Sequence, residues 1–115
     1  MLMINCEVFI YNKPTDMRKS INGLSILVSD IFNKNPTEGG IFVFWNKKLD
    51  KLKLLYWHIN GFCLLYKRLE KQRFKIPSVL SSTLVVSAKE LQWLLDGLNF
   101  SKLSGHKSLK YEIFN

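Results

Sequence analysis

The stretch from Ile41 to Trp57, IFVFWNKKLDKLKLLYW, constrains the fold more than any other part of this chain. Its first five residues are apolar without a break, which suits a short buried strand. NKKLD then supplies polar turn residues. From Lys51 onward basic and apolar positions alternate, so Lys51 and Lys53 face one way and Leu52 and Leu54 the other. The pattern predicts a β-hairpin over 41–57, with HING breaking the chain after it.

The flanking segments supply helices and further strands. NCEVFIY (5–11) is rich in β-formers and leads into a turn at NKP. Met17, Ile21, Leu24, Val28 and Ile31 then recur at helical spacing. This predicts a helix with Thr15 as N-cap, Asp16 in its first turn and a stop near Phe32, before the turn residues NKNPTEGG. Gly23 inside that helix costs about 1 kcal/mol against alanine and is expected to allow close packing on the sheet. Over 61–71, Phe62, Leu65, Tyr66 and Leu69 fit one helical face and predict a helix of about three turns; a third strand of the same sheet is the competing assignment. Pro77 bars a regular continuation. STLVVS (82–87) reads as extended. Ser87 and Glu90 form a capping-box pattern ahead of a helix that places Leu91, Leu94, Leu95 and Leu98 on one face, ending near Gly97. The tail from Phe100 to Asn115 either adds an edge strand or stays mobile.

This order of elements predicts an α+β fold, a small mainly antiparallel sheet with two or three helices packed on it. A chain of 115 residues is one domain's worth and long enough for a core without staples. Cys6 and Cys63 lie in apolar segments and are expected to be buried and reduced. No apolar run approaches the roughly 18 residues of a membrane span, and the N-terminus makes a poor signal peptide. A cytoplasmic protein without membrane association is expected.

The chemistry of enzymes is hard to find in this sequence. The acidic residues are scattered singly, whereas a two-metal site needs several carboxylates converging on ions about 3.5–4 Å apart. Cys6, His58, Cys63 and His106 show no metal-ligand spacing. Serines lack the nucleophile-elbow pattern, and no phosphate-cradling glycine loop occurs. No cofactor, metal or small-molecule substrate is expected, and nothing here sets the oligomeric state.

Positive charge is the remaining signal. Nine Lys and Arg between Lys47 and Lys75 face only Asp50 and Glu70, a net +7 out of the chain's formal +8. Lys47 and Lys48 are expected at the hairpin tip, with Lys51 and Lys53 on one strand face. Lys67, Arg68 and Lys71 would form a patch on the following helix, and Arg73 comes just after it. If hairpin and helix share a side, the outcome is a continuous positive face able to follow a phosphate backbone. Trp57, with Tyr56 or Phe74, is a candidate for stacking on bases. The plainer alternative puts the aromatics in the core and leaves the lysines to solubilise.

The order of motifs also resembles a known family. PTDMRKSINGLSILV is similar to its P-x-D-[ML]-R-K-x-x-x-G-L signature. IFVFWNKKLDKLKLLYWHINGFCLLYKRLEKQRF resembles its central block, and SAKELQWLLDGL its closing helix. The family comprises the small accessory proteins, usually called TnpB, of the insertion-sequence-sixty-six group of bacterial transposable elements. The likeness covers roughly residues 7–98. It implies a non-catalytic accessory role in transposition, beside a larger transposase that resembles a strand-transferase. DNA, the transposase, or both are the implied partners; the alternative is a pure protein-interaction module. Asp16, Arg18 and Lys19 match the first motif, and Arg18 and Lys19 would extend the positive face. Lys53, Trp57, Gly61, Phe62, Lys67, Arg68, Leu69 and Glu70 match the second. Trp45 stands where the family often has a basic residue, and Ser20 where it commonly has glycine.

Overall fold

The computed structural model describes residues 6–104 and the backbone of 112–113. Strand β1 (Val8–Tyr11) leads through a long loop to helix α1 (Ile21–Leu27), which continues as a π-helical turn over Val28–Phe32. A 3₁₀ turn at Pro36–Glu38 precedes β2 (Ile41–Trp45), β3 (Lys51–His58) and β4 (Gly61–Arg68). Then follow β5 (Pro77–Ser78), β6 (Thr83–Val86), α2 (Ala88–Leu95), α3 (Phe100–Leu103) and β7 (Glu112–Ile113). The main sheet runs β4-β3-β2-β1-β6. Only the β1–β2 pair is parallel, with α1 in the connection between them. The other main-sheet pairs are antiparallel, so the α+β architecture stands.

β2 lies at the centre of this sheet and is buried on both faces, which is why IFVFW has no polar position. On one face, Ile41, Val43, Trp45, Leu52, Leu54 and Tyr56 meet Leu91, Leu94 and Leu95 of α2, together with Phe74, Ile76 and Phe100. On the other, Phe9, Phe42, Phe44 and Leu55 meet Leu24, Val28 and Phe32. Phe9 stacks on Phe42 at 5.3 Å between centroids, and Phe32 meets Phe42 edge-on at the same distance. The predicted hairpin over 41–57 forms, as does the Ser87–Glu90 capping box. Leu98 departs from its predicted face and is exposed, because the chain turns at Gly97, whose φ is +79°.

Two helical expectations fail. Residues 61–68 are a strand, paired residue for residue with β3 from His58↔Gly61 to Lys51↔Arg68. Both faces of this segment carry apolar side chains, so it satisfied a helical period by accident, and the short turn at Ile59–Asn60 returned it onto β3. The first helix starts at Ile21 instead of capping at Thr15. Thr15 is buried and its N–H bonds the carbonyl of Trp45 (2.8 Å), drawing the loop across the end of β2. Asp16 accepts from the Arg18 N–H (2.9 Å), a local bond that competes with helix formation. The missing side chain of Gly23 would point at the stem of Lys19, 3.4 Å away, and not at the sheet.

Cys6 and Cys63 are unbridged and half-buried. The tail begins as α3, and its strand β7 pairs with β5 in a separate two-stranded ladder. No described helix is long and apolar enough to cross a membrane.

Candidate nucleic-acid interface

The β2–β3 turn is built by Asn46. Its side-chain carbonyl accepts from the N–H groups of Asp50 (3.1 Å) and Lys51 (2.9 Å), while its amide donates to the Asp50 carboxylate (2.6 Å). Leu49 takes a left-handed conformation (φ +60°) and joins the edge of the core below. This directs Lys47 and Lys48 into solvent. The chain leaving β4 is stitched to the same turn, since Leu69 N–H donates to Asp50 C=O (2.8 Å) and Phe74 N–H to Leu49 C=O (2.7 Å). Phe74 is buried, which anchors the segment and leaves Lys71 and Arg73 exposed. A shallow cleft of about 200 Å³ lies between turn and segment, lined by Lys48, Asp50, Leu69, Glu70, Lys71, Gln72 and Arg73.

The loop after β1 borders the same end of the sheet, through the Thr15–Trp45 bond, and brings Arg18 and Lys19 there. Lys51 begins β3 at that end and Arg68 closes β4 directly opposite it. The acids at this end are already engaged. Asp16 holds the Arg18 guanidinium at 2.8 Å, and Glu70 holds Arg68 at 2.8 Å. Hydrogen bonds from Arg18 keep the Asp16 carboxyl down at about 2. The Asn46 amide, ahead of the charges of Lys51 and Lys48, holds Asp50 below the usual carboxylate range.

Lys19, Lys47, Lys48, Lys51, Lys71 and Arg73 form no ion pair among the described residues, and all but Lys51 are exposed. Two other predicted cations are turned inward. Lys53 Nζ donates to the main-chain carbonyls of Met17 (2.7 Å) and Lys19 (2.8 Å). Lys67 Nζ donates to the carbonyl of Leu95 at the end of α2 (2.6 Å). Because β4 is a strand, Lys67 and Arg68 project from opposite faces of the sheet and do not form the single helical patch the spacing suggested. Trp57 sits at the far end of β3, half-buried and edge-on to Phe62 at 5.0 Å, away from the basic end. Tyr56 and Phe74 are buried.

Asn46 escaped the sequence reading, although an Asn four residues before an Asp inside a turn is a usable signal for side-chain-to-backbone bonding. A wider, open cleft of about 600 Å³ occupies the opposite end of the sheet, with Glu7, Lys34 and Glu38 of mixed sign around it. Among the described residues, no three His, Cys, Asp or Glu side chains gather in a group that could hold a metal ion.

Comparison with known proteins agrees with the motif order. An uncharacterized protein of Sinorhizobium fredii, y4jC, is 34% identical over 97 residues, covering 84% of this chain and 83% of that protein. A second from the same organism, y4hO, is 33% identical over 96 residues, covering 84% of each. No solved structure matches. Residues 6–105 match the family described as IS66 Orf2-like protein, a somewhat longer span than the motifs alone suggested, and the chain belongs to that insertion-sequence family.

Proposed function

We propose that this protein is a non-catalytic accessory factor of transposition that holds DNA by its phosphate backbone at the hairpin-tip end of the sheet. The observation that carries the reading is the pairing of the 46–50 turn with the 69–74 segment, which sets Lys47, Lys48, Lys71 and Arg73 together on a rigid frame. Lysines fixed this way contact phosphate at a small cost in ordering, and each contact releases counterions. Lys51 and Lys19 extend the surface. Arg18 and Arg68 join by exchanging a carboxylate for a phosphate, since exposed ion pairs of this kind are weak and screened by salt. Phosphate contacts position the duplex and carry no sequence information directly, so weak sequence preference is expected.

Gel-shift titration against element-end and random duplexes over a range of salt tests this. Log affinity should fall linearly with log salt. The Lys47/Lys48/Lys71→Ala triple variant should flatten that slope by about 2–3, near one per lost contact. Binding that ignores salt, or a triple variant that matches the parent, rejects the proposal.

Trp57 favours a second reading, docking on the transposase of the same element. It is a half-buried aromatic anchor on the face opposite α2, and Tyr66 on that face is half-exposed. Under this reading Trp57→Ala abolishes nuclease-resistant co-purification with the transposase and leaves the salt slope unchanged.

A further inference from the structure

We propose that β4 is the interface between two copies of this chain, joined edge to edge into one continuous sheet. β4 is an eight-residue edge strand, and among the described residues no strand pairs with its outer side. From Phe62 to Tyr66 it carries no charge and no proline, the usual devices that protect an edge from pairing. The other edge, β6, has only four residues.

The phase of the ladder decides which backbone groups are free. The Leu69 N–H to Asp50 C=O bond brackets the Lys51↔Arg68 pair and makes it a non-hydrogen-bonded pair. Alternation along β4 therefore turns the N–H and C=O groups of Phe62, Leu64, Tyr66 and Arg68 outward.

A second copy fits this edge better than an arbitrary strand because β4 is complementary to itself when antiparallel. With Leu65 facing Leu65 of the second copy on the two-fold axis, Leu64 faces Tyr66, Cys63 faces Lys67, and Phe62 faces Arg68. Every cation meets an uncharged partner, the guanidinium of Arg68 lies beside an aromatic ring, and no like charges are opposed. The two-fold axis is perpendicular to the sheet, so α1 of both copies stays on one face. The two basic ends then point in opposite directions. This inference does not depend on what the basic end binds.

The full chain should elute as a dimer of twice 13.5 kDa in size-exclusion chromatography with light scattering. Tyr66→Pro removes an outward N–H without touching the β3 ladder, and should give a folded monomer by circular dichroism. Leu65→Cys, in a Cys6→Ser and Cys63→Ser background, should form a disulfide-linked dimer on air oxidation, because facing residues of a non-hydrogen-bonded pair lie about 4.5 Å apart at Cα. Should Tyr66→Pro fail to fold, the cross-link decides alone. A wild-type monomer at high micromolar concentration overturns the proposal, even one that pairs its edge with the transposase instead. So does a folded Tyr66→Pro dimer, or a Leu65→Cys chain that never cross-links.

Discussion

The ammonium of Lys53 donates to the main-chain carbonyl of Met17 at 2.7 Å, across 36 positions of sequence. A second bond reaches the carbonyl of Lys19 at 2.8 Å. These carbonyls belong to the loop where a helix would otherwise begin, so one lysine on β3 organises the approach to α1. A cation that bonds two carbonyls in this way is part of the frame, and under the proposed function it stands outside the phosphate contacts.

Lys53→Met should therefore destabilise the fold by about 1.5–3 kcal/mol, the range for a hydrogen bond to a charged group. The salt dependence of DNA binding should stay unchanged. Denaturant unfolding and gel-shift titration of the same preparation separate the two effects.

Asn46→Ala should cost about 1–2 kcal/mol by leaving turn amides without their acceptor. It should also return the Asp50 carboxyl toward its ordinary 3.8, because the Asn46 amide is the largest cause of its depression. Loss of DNA affinity should accompany both, since the turn carries Lys47 and Lys48. Carboxyl-carbon NMR titration and urea unfolding check the linked outcomes.

Asp16 gives a pH prediction. Its folded value is about 2 against the ordinary 3.8, held there first by the Arg18 side chain. A depressed carboxylate contributes stability that is present above the unfolded value and lost as pH falls through the folded one. The contribution should thus disappear between about pH 4 and 2, and it should be small and salt-sensitive because the pair is exposed. Arg18→Ala should move the NMR titration of Asp16 upward toward 3.8.

Ser87→Ala removes the acceptor for the Glu90 N–H, a 3.1 Å bond, and breaks the capping box. About 1 kcal/mol should be lost, measurable as a shift in urea midpoint. Lys67 bonds the Leu95 carbonyl at the other end of α2, about 12 Å along the helix from Ser87, so Lys67→Met and Ser87→Ala should be additive in a double-mutant cycle.

The features set by the sequence alone are those governed by local rules. Unbroken apolarity at 41–45 predicts a strand covered on both sides, alternation from Lys51 predicts its partner, and Ser87 with Glu90 predicts a helix start. Each depends on neighbours within a few positions. Tertiary structure decided the rest. Phe62, Leu65, Tyr66 and Leu69 satisfied a helical period and, with their neighbours, a strand period as well; only pairing with β3 selected the strand. That choice split Lys67 from Arg68 and sent them to opposite faces. Spacing also treated Lys53 and Lys67 like Lys47 and Lys48, because charge is visible in a sequence and a carbonyl 28 or 36 positions away is not. A lysine's role here follows from whether folding brings an unsatisfied backbone acceptor within reach of its ammonium, and that depends on long-range geometry.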